Sequence, residues 1–203
     1  YDRNDATKII EDFMLLANET VAEEYFWRET PFLYRTHDVP DEEKIRKLGT
    51  FINNFGYNLH IRNEVRPKEI QKLLCKVEGT PEEPLISRLA LRSMKQAKYT
   101  TENTGHFGLA AKYYTHFTSP IRRYPDLQIH RIIKENLRRG LSDRRFAHYD
   151  SILPEVAKHS SETERRAEEA ERETDKLKKM EYMAERIGEE YEGIISGITA
   201  WGI

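Results

Sequence analysis

The sequence predicts an α+β fold that is predominantly α-helical and contains a few strands. In much of residues 4–95 and 126–139, apolar side chains recur every three or four residues, which is the period of an amphipathic helix. Residues 160–187 are a charged stretch that gains large apolar side chains in its second half. Residues 97–118 and 188–203 instead combine glycines, aromatic residues and β-formers, and this composition indicates strands. The length of 203 residues is enough for one sizeable core and part of a second.

The first predicted helix covers residues 4–27 and is followed by a loop or short extended piece at residues 31–40. Asn4 or Asp5 can cap its free N–H groups, because each carries a side-chain oxygen close to the start of the apolar period. The inward face of this helix is predicted to contain Ile9, Ile10, Phe13, Met14, Ala17 and Val21.

Three further helices are predicted before the central region. The second begins after Asp41 and ends at Gly56, and the third runs from Pro67 to near Gly79. The fourth opens with a capping-box pattern at residues 80–83. These three helices carry no evident chemistry, and we interpret them as scaffold.

The most informative stretch is residues 106–130, which read HFGLAAKYYTHFTSPIRRYPDLQIH. Pro120 and Pro125 each remove a backbone donor and fix φ, so the segment between them is predicted to be a held loop. Within that loop, Arg122 and Arg123 suit a phosphate group, because a guanidinium grips phosphate oxygens with two parallel hydrogen bonds. Nearby aromatic side chains can stack on bases. The alternative is that the arginines pair with surface carboxylates and the aromatic residues belong to the core.

The residues around this loop give further predictions. Gly105 and Gly108 should permit a close approach of backbone between one or two strands in residues 97–118. Asp126 should orient the arginine loop or the start of a helix that runs to Arg139 and ends at Gly140.

The C-terminal part is predicted to be a polar connector, a charged helix over residues 160–187 and then a strand. Ser161 and Glu164 form a second capping-box pattern at the start of this helix. From Gly188, alternating apolar residues indicate a strand and its turn. Because the chain opens with Tyr1 and stops shortly after this strand begins, we expect it to be a piece of a longer protein.

Composition narrows the possible classes of protein. The formal net charge is only −2, so any basic surface for nucleic acid must be local. The single cysteine, Cys75, rules out an internal disulfide framework and fits a reducing cytoplasm. We expect Cys75 to be buried, because it lies among apolar residues. No apolar run is long enough to span a bilayer.

Residues 106–130 resemble the signature of the ribonuclease II / ribonuclease R family, whose catalytic domain is called RNB. The RRYPD form is closer to the ribonuclease R branch. The resemblance implies that residues 1–187 are the C-terminal part of an RNB exoribonuclease domain. It also implies that residues 188–203 are the truncated start of an S1 RNA-binding domain, an OB-type barrel. The matching positions are His106–Leu109, Tyr114, Phe117–Tyr124, Asp126 and His130.

The resemblance also implies an activity: magnesium-dependent, processive 3′→5′ hydrolysis of single-stranded RNA with a free 3′ end, which releases nucleoside 5′-monophosphates. Arg122 corresponds to the arginine that the family places against the scissile phosphate. The metal-binding aspartates are expected upstream of Tyr1, and no metal ligand is assigned within the chain. The residues expected to contact RNA are Arg123, Ser119, His106, Tyr114, Glu171 and Arg165, or Arg166 in place of Arg165.

Two other functional classes are open. The first is a catalytically inactive RNB-type protein that binds RNA or regulates it. This class is open because the metal-binding aspartates, which would distinguish an active protein from an inactive one, are expected outside the chain. The second is a helical interaction scaffold, which accounts for residues 41–95 and 160–187 but leaves residues 106–130 unexplained. In each case we expect a cytoplasmic protein that is monomeric and has no membrane segment.

Overall fold

The computed structural model describes residues 4–59 and 65–193, and in this part the predicted fold class is confirmed. Most of the described chain is helical, and its two short strands pair with each other. The chain divides into two compact units, Tyr1–Ser161 and Glu162–Ile203. The elements in chain order are α1 (Asp5–Trp27), β1 (Tyr34–Thr36), α2 (Glu42–Asn53), α3 (Pro67–Val77), α4 (Glu83–Ser93), β2 (Lys98–Thr100), a 3₁₀ turn (Phe107–Leu109), α5 (Tyr124–Arg139) and α6 (Asp143–Ala184).

The main core of the first unit brings the end of α1 together with β1, α5 and the first part of α6. Strand β1 pairs antiparallel with β2, so that Arg35 lies opposite Tyr99. Two three-residue strands are not stable alone, and they depend on the apolar side chains packed around them. Buried members of this core include Tyr25, Phe32, Leu33, Ile129, Ile132 and Leu153.

Helices α2, α3 and α4 form a separate support. Leu48, Ile52, Leu73 and Ile86 lie in one buried cluster that joins the three helices. A neighbouring cluster contains Ile45, Val65, Ile70 and Phe107, so it attaches the 3₁₀ turn to α2 and α3. These helices therefore act as a scaffold for the segment that follows His106.

The predicted inward face of α1 is wrong in its first half. Ile9 is 54% exposed and Phe13 is 64% exposed, and Ile10 and Met14 are exposed as well. The buried residues are Asn18, Ala22 and Tyr25, because only the second half of the helix packs on β1 and α5. The predicted cap is confirmed: Asn4 accepts a hydrogen bond from the Thr7 N–H group at 3.0 Å.

The predicted connector before the last helix is also wrong. Helix α6 begins at Asp143 and continues through Pro154. Tyr149, Leu153 and Ala157 are buried at successive turns, and their packing offsets the backbone hydrogen bond that the proline removes. Ser161 is therefore an interior residue of α6. Its hydroxyl donates to the Ala157 carbonyl and accepts from the Tyr99 N–H group.

Smaller differences concern element ends and one side chain. Helix α4 begins at Glu83, whose carboxylate accepts from the Gly79 N–H group, so the predicted capping box does not form at Thr80. Helix α5 begins at Tyr124, two residues earlier than predicted. Cys75 is exposed, because Leu73 and Val77 occupy the buried face of α3 and position 75 lies between them on the other side.

The strand prediction is confirmed in part for residues 97–118 and is not confirmed for residues 188–193. One strand, β2, is confirmed in residues 97–118, and the rest of that region is the 3₁₀ turn with irregular backbone. Residues 188–193 form no strand, and residues 194–203 lie outside the described part, so the S1 start remains a prediction. In the described ranges, no helix has both the length and the apolar character needed to cross a membrane.

Candidate nucleic-acid interface

Residues 119–123, called here the arginine turn, form the tight loop that leads into α5. The Ser119 carbonyl accepts hydrogen bonds from the N–H groups of Arg122 and Arg123, at 3.3 and 3.1 Å. Pro120 fixes the backbone immediately after Ser119, and Pro125 occupies the first turn of α5. The turn is therefore held by its own backbone and by the helix that it opens.

A buried carboxylate fixes both ends of the arginine turn. The side chain of Asp126 is 0% exposed, and its Oδ2 atom accepts from the Ser119 N–H group at 2.8 Å. It also binds the Arg123 guanidinium through two hydrogen bonds, Nε to Oδ1 at 2.9 Å and Nη2 to Oδ2 at 2.8 Å. The prediction that Asp126 orients the loop is confirmed.

The two adjacent arginines have different environments. The Arg123 side chain is 18% exposed and is paired with Asp126. The Arg122 side chain is exposed, and its guanidinium makes no hydrogen bond or ion pair with any other residue in the described ranges. A fixed backbone with an unpaired guanidinium is suited to an anionic ligand, because no internal partner must be displaced.

The segment before the arginine turn is fixed by a buried asparagine from α1. Asn18 accepts from the Phe117 N–H group at 3.0 Å and donates to the Tyr114 hydroxyl at 3.2 Å. The Phe117 ring stacks on His130 of α5, with 4.4 Å between centroids, and the Phe117 carbonyl lies 2.9 Å from His130 Nε2. These two hydrogen bonds give the Asn18 side chain a bracing role.

Aromatic side chains form a cluster beneath this segment. His106 lies 5.1 Å from the rings of both His37 and Tyr114, and Tyr114 lies 5.9 Å from His116. His116 Nδ1 is 2.8 Å from the Tyr99 hydroxyl. The cluster therefore connects His37, which follows β1, and Tyr99 of β2 to the segment before the arginine turn.

Burial keeps the histidines of this cluster neutral. Desolvation, and after it the positive charges of Arg123 and Arg35, lowers the pKa of His116 to about 3. The pKa of His106 is lowered to about 4, again by burial first and then by His37 and Arg35. At neutral pH these rings act as packing and hydrogen-bonding groups and add no positive charge.

The predicted RNA-contacting residues fall into two sets. Ser119 and Arg123 lie with Arg122 in one turn, and His106 and Tyr114 lie together in the aromatic cluster. His106 Nδ1 accepts from the Leu109 N–H group, and the Tyr114 side chain is buried, so both have internal structural roles. Their RNA-binding roles stay predictions.

Glu171 and Arg165 belong to the second unit. Both are exposed residues of α6 beyond Ser161. Their predicted position beside the RNA channel depends on how the second unit is placed, so it also stays a prediction.

Sequence reasoning missed the role of His37. Its Nδ1 atom accepts from the Gly108 N–H group at 3.0 Å, across 71 residues of chain. A Cβ atom at Gly108 would lie 2.8 Å from that nitrogen, so the close approach predicted at this glycine is confirmed. Gly108 was the available signal for a close contact, but nothing in the sequence named its partner.

Residues 4–59 and 65–193 contain no group of three or more His, Cys, Asp or Glu side chains that could hold a metal ion. Asp126, the carboxylate nearest to the arginine turn, is already occupied by Arg123 and Ser119. The residues described here therefore do not fit a catalytic metal centre.

Comparison with known proteins assigns the family. The model of the RNB domain matches residues 1–139. The chain belongs to the RNB domain family. It is 46% identical over 202 residues to ribonuclease R 1 of Lactococcus lactis and 47% identical over 202 residues to ribonuclease R of Aquifex aeolicus. These alignments cover 99% and 100% of the chain but only 25% and 28% of the relatives, so the chain spans little more than a quarter of their length.

Solved structures of RNB relatives show the same fold. Mycoplasma genitalium RNase R, in complex with ribose-methylated single-stranded RNA, is 28% identical with a TM-score of 0.91. That match covers 100% of this chain and 32% of the other. Yeast Ssd1, described as a pseudonuclease, is 27% identical with a TM-score of 0.66 over 79% of this chain and 20% of its own.

Proposed function

We propose that the protein containing this chain is a 3′→5′ exoribonuclease. It hydrolyses single-stranded RNA processively from a free 3′ end and releases nucleoside 5′-monophosphates. The observation that carries this proposal is the Arg122 guanidinium, which is exposed and unpaired within the described residues, on a turn fixed by buried Asp126. Membership of the RNB family and the similarity to ribonuclease R proteins support it.

Arg122 is assigned to the phosphate at which hydrolysis occurs. Negative charge spreads over the phosphoryl oxygens in the transition state of phosphoryl transfer, and a fixed cation stabilises that charge. The turn supplies the fixed position, because Ser119 and Arg123 are both bound to Asp126. Arg122 therefore needs little reorganisation when the substrate binds.

The neighbouring residues are assigned to substrate binding. Arg123 uses Nε and Nη2 for Asp126, so only its remaining N–H donors can reach an adjacent phosphate. The Ser119 hydroxyl is a second donor in the same turn. His106 and Tyr114 are assigned to the terminal nucleotides, where a neutral imidazole can hydrogen-bond or stack without adding charge. Glu171 and Arg165 are assigned to the path of the RNA.

Magnesium dependence is part of the proposal, although the described residues do not form a site for the ion. The ligands would have to come from other parts of the protein, and no step of the reaction is derived through the metal. The division into an RNB part at residues 1–187 and an S1 start at residues 188–203 is also proposed. A monomeric protein of the cytoplasm fits the single exposed cysteine.

The test uses the full-length protein, magnesium and a 5′-labelled RNA duplex with a single-stranded 3′ tail. A ladder that shortens from the 3′ end to very short products is the expected result. Stalling a few nucleotides before the duplex would keep the exonuclease but restrict it to single strands. Internal cleavage, or no cleavage with intact RNA binding, would contradict the proposal.

A second candidate is an RNB-type protein that binds RNA without cutting it. The likeness to a yeast pseudonuclease supports this candidate, because it places a related fold in a protein described as lacking nuclease function. The two candidates differ in one measurement. The inactive protein would bind single-stranded RNA, weaken steeply with rising salt as phosphate contacts do, and leave the labelled strand intact.

A further inference from the structure

An aromatic and acidic cleft of about 740 Å³ lies on the first unit, formed by the end of α1, the segment before β1, the segment after β2 and the first part of α6. It is called here the aromatic-acidic cleft. The residues that give it its chemistry are Phe26, Trp27, Glu29, Glu102, Phe146 and Asp150. None of them was assigned to RNA binding or catalysis above.

The aromatic part of the cleft is unusually accessible. Trp27 is 67% exposed, and Phe26 and Phe146 are exposed as well. Trp27 is held edge-on against Phe26 with 5.4 Å between ring centroids, and Phe26 in turn lies 4.9 Å from Tyr113. Large apolar side chains that are exposed together and held in place mark a binding surface more often than singly exposed ones do.

The charge of the cleft has one sign. Glu29, Glu102 and Asp150 line it, and in the described residues no carboxylate of the three makes a hydrogen bond or ion pair. No Lys, Arg or His is among the described residues that line the cleft. An anionic ligand such as RNA would be repelled here, whereas a cationic ligand would be attracted.

The arrangement selects an organic cation rather than a metal ion. Among the described residues, these carboxylates do not form a group that could hold a metal ion. An ammonium or guanidinium group, by contrast, is bound by the face of a tryptophan ring and by separate carboxylates at the same time.

We propose that the aromatic-acidic cleft binds a Lys- or Arg-bearing segment of a protein partner, with a basic side chain held against Trp27. Charge complementarity and the exposed ring carry this assignment. It is independent of the proposed exoribonuclease activity, because the cleft shares no residue with the arginine turn.

Glu29 provides a variant that removes charge without loss of fold. Its φ is 51°, a left-handed conformation at the end of α1 that favours glycine. Glu29→Gly therefore removes the carboxylate and relieves backbone strain at the same position.

The experiment measures the fluorescence anisotropy of labelled hexalysine added to the full-length protein at about 0.15 M salt. We expect saturable binding that weakens about fivefold or more in Trp27→Ala, where the protein charge is unchanged, and by a similar factor in Glu29→Gly. The matched control is Glu23→Gln, which removes an exposed carboxylate of α1 outside the cleft and should leave the affinity unchanged.

Three results would overturn the proposal. Absence of saturable binding would mean that the cleft takes no basic ligand in the full protein or is covered by another part of it. Equal binding by the wild type and Trp27→Ala would mean that the peptide is held only by non-specific electrostatic attraction, without contact to the Trp27 ring. Direct binding of labelled single-stranded oligouridylate that weakens in Trp27→Ala would place the cleft on the RNA path. RNA cleavage should be the same in Trp27→Ala and the wild type, so failure here is distinguishable from failure of the nuclease proposal.

Discussion

Asp126 binds Arg123 through two parallel hydrogen bonds of 2.9 and 2.8 Å and is fully buried beneath the arginine turn. This pair separates the two arginines by function. One guanidinium neutralises a buried carboxylate, and the other is left at the surface on a backbone that the pair has fixed. The sequence places the two arginines next to each other, but only the i,i+3 contact with Asp126 shows which of them has a structural role.

Asp126→Asn should destabilise the protein strongly. The substitution keeps the shape of the side chain but leaves the Arg123 charge without its partner, at a cost of about 3–5 kcal/mol in the free energy of unfolding. Urea denaturation measures this change. The matched control is Asp143→Asn, which alters an exposed first-turn aspartate of α6 and should cost less than about 1 kcal/mol. Similar losses in both variants would show that Asp126 acts only as a first-turn carboxylate.

Arg122→Ala and Arg123→Ala should separate catalysis from stability. Arg122→Ala should leave the free energy of unfolding within about 0.5 kcal/mol and lower RNA turnover on the order of 10²-fold, with a much smaller change in RNA affinity. Arg123→Ala should lower stability, because it leaves the Asp126 carboxylate buried and unpaired.

Two further variants control for charge in this experiment. Arg138→Ala removes an exposed guanidinium from α5, the helix that the arginine turn opens. It should change neither the free energy of unfolding nor the RNA turnover. Arg122→Lys keeps the positive charge but loses the two-pronged geometry, so its turnover should lie between those of the wild type and Arg122→Ala. Unchanged turnover in Arg122→Ala would remove Arg122 from the catalytic role.

The features that could be predicted from the sequence are local in the chain. Pro67 at the start of α3, Asp41 before α2 and Gly140 after α5 mark ends that depend only on neighbouring residues. Asp126 lies three residues after Arg123 and four after Arg122, so the sequence predicts a carboxylate that orients the loop but not which arginine it binds. In the same way, the predominantly helical fold class follows from local periodicity and composition.

The features that could not be predicted depend on distant partners. The exposed first half of α1 has the same apolar period as a buried helix, and only the tertiary contacts of Ala22 and Tyr25 decide which part is covered. The start of α6 depends on Tyr149 and Leu153 entering the main core. The contact between His37 and Gly108 joins residues 71 positions apart.

Gly108→Ala should be destabilising, although alanine is the smallest possible change. Its Cβ atom would lie 2.8 Å from His37 Nδ1, where the Gly108 N–H group now donates a hydrogen bond. We expect a loss of about 1–3 kcal/mol in the free energy of unfolding. Gly193→Ala is the control, since nothing lies within 4 Å of the added carbon there. Equal stability of the two variants would mean that His37 moves aside freely.

The free energy of unfolding should decrease as the pH falls below neutrality, and part of this decrease should come from His116. Burial lowers the pKa of His116 to about 3, compared with an ordinary value of about 6.5, so between these values the unfolded chain binds a proton that the folded protein does not. The contribution of His116 is therefore complete above about pH 6.5 and is lost as the pH falls towards 3. Its maximum slope is about 1.4 kcal/mol per pH unit.

His116→Gln tests this dependence, because glutamine can still accept a hydrogen bond from the Tyr99 hydroxyl but does not titrate. The free energy of unfolding, measured by urea denaturation between about pH 7 and about pH 4.5, should fall less steeply in this variant than in the wild type. Carboxylates with lowered pKa, such as Glu135, contribute equally to both proteins and cancel in the difference. A slope unchanged by His116→Gln would show that His116 becomes protonated in the folded protein without cost, and the neutral aromatic cluster would have to be abandoned.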